Sequence, residues 1–117
     1  MKYRHYAPET KCKLVNFENE LDQLFNLNKI VKQYKGNVVI IGFHEHKEKI
    51  VVSDGRFIDV GNKDDYAQIA KNIYTALRKA DNIKPEIILI EGIKKEGMGI
   101  AIMNRLLRTC EYDCLEG

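Results

Sequence analysis

Polar and apolar positions along this chain change period several times. From Lys11 to Phe17, Cys12, Leu14 and Phe17 alternate weakly with polar neighbours, which predicts a short strand. After Asn19-Glu20 the period lengthens. Leu21, Leu24, Phe25, Leu27, Ile30, Val31 and Tyr34 fall at spacings that predict one face of a helix, with Gly36 as its stop. The run from Asn37 to Phe43 is short, apolar and β-branched, as expected of a strand buried on both faces in a parallel sheet. Ile50-Val51-Val52 and Phe57-Ile58-Asp59-Val60 flank Asp54-Gly55, which taken alone signals a tight hairpin. The second segment is the stronger strand, because it runs directly into a helix as a βα unit does. That helix carries Tyr66, Ile69, Ala70, Ile73, Tyr74 and Leu77 as one stripe. Asn62 or Asp64 would cap it, and Arg78 and Lys79 suit the negative end of its dipole. Pro85 follows, then a buried strand over Ile87 to Ile90. Gly97-Met98-Gly99 opens a last helix bearing Ile100, Met103, Leu106, Leu107 and Cys110.

Strands alternating with helices in the order β-α-β-(β)-β-α-β-α predict an α/β fold: a small three-layer Rossmann-like sandwich with a mostly parallel sheet. Sites on such sheets lie at the carboxyl ends of the strands. Residues 1–10 have no periodicity, and Pro8 disfavours a helical Ala7. We read 1–10 as an extended arm and 11–117 as one folded domain.

Composition adds limits. A length of 117 residues suits one domain, and 44% hydrophobic with 31% charged residues is ordinary for a globular chain. A net charge of +2 argues against a dedicated nucleic-acid binder. No apolar run is long enough to cross a bilayer, and Met1 to His5 lacks a secretion signal, so a soluble cytoplasmic protein without membrane partners is expected. Three cysteines make no disulfide framework and should be thiols there.

Several groups carry candidate chemistry beside a plainer reading. Glu91 ends a buried strand, where functional carboxylates often sit; a helix cap or salt bridge is the alternative. Gly97 and Gly99 before a helix can cradle an anion or simply allow close packing. Asn104 and Arg105, further along that helix, would face another domain or a partner. His44 and His46 are two apart and would share a metal-ligand face on a strand, but no third ligand is evident, so no metal is assigned; a polar loop is the alternative. Cys110 and Cys114 would share a face if the last helix continued, as a metal or redox pair or as core residues. In the arm, Tyr3 and Tyr6 can stack on a base, Lys2 and Arg4 can neutralise phosphate, and His5 can donate to a phosphate or carbonyl oxygen.

Three segments together resemble one family. They are Met1-Lys2-Tyr3-Arg4-His5-Tyr6-Ala7-Pro8, the stretch from Ala70 to Asp81, and Ile90-Glu91-Gly92 followed by Glu96 to Leu106. In this order and spacing they resemble the long form of L-threonylcarbamoyladenylate synthase. The resemblance implies a C-terminal Rossmann-like accessory domain with its linker attached. A separate N-terminal catalytic domain, in cis, would make threonylcarbamoyl-AMP from threonine, bicarbonate and ATP with Mg. The product would serve modification of tRNA, which is thus an indirect partner. Lys2, Tyr3, Arg4, His5, Tyr6 and Pro8 would form a lid over that domain's active site and keep water from a labile mixed anhydride. The catalytic domain has no counterpart in these residues. The chain is therefore expected to be an excised piece, with no catalytic residue and no cofactor of its own. The competing expectations are a stand-alone regulatory module that binds a nucleotide or small ligand, and a tRNA-docking domain.

Overall fold

The computed structural model describes residues 7–117. Five strands form one sheet: β1 (Cys12–Asn16), β2 (Val38–Gly42), β3 (Phe57–Asp59), β4 (Ile87–Glu91) and β5 (Cys114–Glu116). Three helices join them: α1 (Glu20–Gln33), α2 (Tyr66–Ile83) and α3 (Met98–Thr109). The spatial order is β3-β2-β4-β1-β5, and every pairing is parallel. The chain thus travels one way from β1 to β3, then turns back through β4 to β5. Parallel crossovers share one hand, so a reversal of travel puts the later helices on the opposite face. The core follows that rule. Leu27, Ile30 and Val31 of α1 pack with Val38, Ile40, Ile87 and Leu89 on one face. Ile69, Ile73, Leu77, Met103 and Leu106 of α2 and α3 pack with Val39, Ile41, Ile88 and Ile90 on the other. Central strands covered on both sides must be apolar throughout, which explains the β-branched runs of β2 and β4.

The expected α/β sandwich is present, with corrections in detail. Ile50-Val51-Val52 is not a strand. Ile50 is buried among the α1-side core residues without joining a ladder, and Val51 is exposed. Asp54-Gly55 is therefore no hairpin, and β3 pairs instead with β2 in parallel; Gly55 has φ +83° in a turn closed by the Arg56 amide on the Ser53 carbonyl. On α1 the buried stripe is Gln23, Leu27, Ile30 and Val31, while Leu21 and Phe25 face outward. Ala70 on α2 and Ile100 on α3 are likewise exposed. The cap of α2 is neither Asn62 nor Asp64 but Asp65, whose carboxylate accepts from the Gln68 amide at 3.2 Å. The last helix ends at Thr109, and β5 follows along β1. Cys110 and Cys114 therefore lie on different elements and share no helix face.

Candidate functional site

At the carboxyl ends of the strands lies a cleft of about 780 Å³, lined by Asn16, Phe17, Gln23, Phe43, His46 and Glu91 with the loop from Gly92 to Glu96. Glu91, the last residue of the central strand β4, forms its floor, and its side chain has 0% exposure. A buried carboxylate is tolerable only where donors surround it. Glu91 has three. His46 Nδ1 lies 2.8 Å from Oε1, Gln23 Nε2 donates to Oε1 at 3.0 Å, and the Phe43 amide donates to Oε2 at 3.0 Å.

The neighbours are placed by the fold. Gln23 sits in the buried phase of α1, where its amide also donates to the Val15 carbonyl at 2.9 Å and accepts from the Phe17 amide at 2.8 Å. His46 closes a 3-10 turn, His44–His46, just after β2. Its Nε2 reaches Glu20 Oε1 at 3.2 Å, and Glu20 in turn lies 3.9 Å from both Lys49 and Lys63. Gly42 gives room for the carboxylate: a Cβ there would stand 2.6 Å from Glu91 Oε2. Gly92 does the same for Asn16, whose Cβ would be 2.6 Å away.

The electrostatics are consistent with an imidazolium held between two carboxylates. The hydrogen bond to Glu91 raises the His46 pKa above its ordinary 6.5, against the opposing effect of burial. The hydrogen bond from His46 lowers Glu20 below its ordinary 4.5. Among the described residues no buried side-chain polar atom lacks a partner. The cluster therefore ties α1, β4 and the β2–β3 connection together and shapes the cleft floor; its side chains are spoken for.

The residues singled out from the sequence separate into groups. Glu91 and His46 meet at the cleft. His44 does not join them: its Nδ1 lies 2.6 Å from Asp59 Oδ2 and its side chain is 64% exposed. The two histidines thus share no ligand face, and among the described residues no three His, Cys, Asp or Glu side chains are grouped to hold a metal. Nor is His46 a polar loop residue, since it is buried. Gly97 has φ +54° and heads α3 without a side-chain cap, while Gly99 sits where a Cβ would overlap the Lys94 carbonyl. Asn104 and Arg105 lie on the outer face of α3, away from the cleft. The Arg105 guanidinium stands 5.5 Å above the Tyr74 ring, beside a shallow apolar hollow of about 200 Å³ between α2 and α3. Cys110 is buried against Cys12, and that contact with burial raises its thiol pKa. Burial first, then Glu116, pushes Cys114 up to about 11. Neither thiol is activated as a nucleophile. Lys2, Tyr3, Arg4, His5 and Tyr6 lie outside the described residues; Pro8 lies inside and is partly buried. Sequence reasoning missed Gln23 and Glu20. Gln23 did leave a signal, a polar residue in the buried phase of an apolar helix stripe.

Comparison with known proteins agrees with this fold. The family described as Sua5_C, threonylcarbamoyl-AMP synthase, C-terminal domain, matches residues 1–110. Threonylcarbamoyl-AMP synthase of Pyrococcus abyssi is 33% identical over 116 residues, covering 96% of this chain and 31% of the relative. That of Bacillus subtilis is 28% identical over 110 residues, covering 93% of this chain and 30% of the relative. The chain therefore spans about a third of the length of these curated relatives. Among solved structures, P. abyssi Sua5 complexed with L-threonine superposes with a TM-score of 0.80 and 28% identity, over 100% of this chain and 33% of that one. The C-terminal Sua5 domain of a Pyrococcus horikoshii protein superposes with a TM-score of 0.65 and 26% identity, over 95% of this chain and 100% of that one.

Proposed function

The chain belongs to the family of threonylcarbamoyl-AMP synthase C-terminal domains, and from that premise we propose that it serves as the accessory domain of such a synthase. The catalytic domain, in cis, makes L-threonylcarbamoyl-AMP from threonine, bicarbonate and ATP with Mg, for threonylcarbamoyl-adenosine modification of tRNA in the cytoplasm. Residues 1–10 act as the arm that covers that active site, with Lys2, Tyr3, Arg4, His5, Tyr6 and Pro8 as its contacts. This domain supplies no catalytic residue and no cofactor site.

The observation that carries the reading is the family match, which begins in the arm and runs through α3 while the chain spans only a third of its relatives. The fold gives it support. The arm joins the domain at the amino end of β1, beside the end of α2, where Glu9 and Thr10 bond to Asp81. The cleft opens at the carboxyl ends of the strands, the opposite end of the sheet. The junction with the arm therefore lies at the far end of the domain from its own cleft. The described helices include none long and apolar enough to cross a membrane.

Calorimetry of this chain with ATP, AMP and threonine tests the reading, with weak or no binding expected. A submicromolar ATP affinity would favour a stand-alone nucleotide-binding module and overturn it. In the two-domain synthase, His5→Ala with Tyr6→Ala should abolish ATP-dependent synthesis. Synthesis at the wild-type rate would remove the lid.

A further inference from the structure

We propose that the groove between α2 and α3 is a docking surface for an acidic amphipathic helix of a partner protein. The proposal stands apart from the lid and from the activity of the synthase. α2 and α3 follow β3 and β4 and cover the same face of the sheet. Their apolar stripes turn inward, but the seam between them is not filled. A hollow of about 200 Å³ opens there, with Ala70, Tyr74, Met98 and Ala101 on its walls and Arg105 at its edge. An apolar cavity of about 150 Å³ already admits benzene, so this hollow has room for an aliphatic side chain. Ala70, Met98 and Ala101 are exposed, which leaves apolar surface in water along the groove.

Charge decides what kind of partner fits. α2 and α3 together carry Lys71, Arg78, Lys79, Arg105 and Arg108 against one acid, Asp81. These two helices thus hold a formal +4 on a chain whose net charge is +2. Among the described residues no carboxylate lines the hollow, whereas the cleft beyond the strands is lined by Glu18, Asp64, Glu96 and Glu116. Ala101, Arg105 and Arg108 are three or four positions apart and share one side of α3, and Lys71 stands three positions from Tyr74 on α2. The Tyr74 ring beneath the guanidinium holds Arg105 at the edge of the hollow. Apolar walls between cations match a helix with leucines on one stripe and carboxylates beside it. A nucleic-acid backbone would use the cations but gain little from the apolar walls, since its interfaces are more polar.

The test is an NMR titration of the 117-residue chain with a synthetic helix of about 16 residues, leucine on one stripe and glutamate beside it. Amide shifts are expected at Tyr74, Ala101 and Arg105, with His46 and Glu91 at the cleft unmoved. Arg105→Glu should weaken binding about tenfold or more, and a peptide with lysine for glutamate should bind that variant better than it binds the wild type. Arg105→Lys keeps the charge and should keep most of the affinity. A peptide with serine for leucine should lose binding; equal binding would reduce the face to bare charge attraction and overturn the proposal. No shift on α2 and α3 at millimolar peptide, or shifts confined to the cleft, would also overturn it. Two other occupants are tested alongside. A single-stranded RNA oligonucleotide that binds this face more tightly than the peptide would assign it to nucleic acid. Self-association of the chain alone in sedimentation velocity, abolished by Arg105→Glu, would assign it to a second copy. Either result replaces the acidic helix and overturns the proposal.

Discussion

Glu91 shows how one residue links fold to site. Its carboxylate has no exposed surface, and the Phe43 amide, the Gln23 amide and His46 all point at it. Glu91→Ala would leave those donors facing an empty space. Breaking a buried pair by removing one partner costs about 3–5 kcal/mol, so a drop in unfolding free energy of that order is expected in urea unfolding. His46 adds a pH dependence. Its folded pKa is raised, so its stabilising effect is complete below its ordinary 6.5 and is lost as pH rises through the raised value. Stability should therefore decline as pH rises above 6.5 and through that raised value, and His46→Gln should flatten that decline. Glu20 acts in the opposite sense: its effect is present above its ordinary 4.5 and fades as pH falls through the lowered value. A wild-type profile with no decline as pH rises from 6.5 would contradict the imidazolium between two carboxylates. Glu91 was visible in the sequence as a carboxylate ending an apolar strand. Its pairing was not, because Gln23 comes from α1 while Phe43 and His46 come from the β2–β3 connection, and they meet only when the sheet forms.

At the scale of elements, the central strands were legible and so was β3 at one edge, but β5 at the other edge was not. β2 and β4 announce themselves because both their faces are covered, which favours apolar residues along them, with Glu91 at the end of β4 the exception. β5 has three residues at the sheet edge, Cys114 to Glu116, and carries no periodic signal of its own. Ile50 misled in the opposite way: burial made it apolar, yet it enters the core from a loop. On α1 the period was right but the face was displaced, because Leu21 and Phe25 are apolar and exposed. The true phase runs through Gln23, whose polarity belongs to the cleft. The start of α1 is set locally by Asn19, whose side chain accepts from the Asp22 amide at 3.0 Å. Asn19→Ala should lower stability by about 1 kcal/mol, read as a shift in thermal midpoint. An unchanged midpoint would mean that packing alone sets this boundary.

For the whole molecule, the reversal of chain travel after β3 decides the architecture. It places α1 on one face and α2 with α3 on the other, and it brings β4 between β1 and β2. A radius of gyration of 13.0 Å matches about 13 Å for a compact chain of this size. The parallel arrangement also has a mechanical consequence. The arm joins the amino end of β1, and the last residues continue from the carboxyl end of β5, directly alongside. Tension between residues 7 and 117 pulls these two parallel neighbours in opposite directions along their length. Their hydrogen bonds are then loaded together in shear and cannot open one at a time. In single-molecule stretching, this direction should require a higher force than one that peels β5 from its edge at residue 113. If tension does pass through this domain when a neighbour moves, the β1–β5 pair is built to transmit it and not to yield.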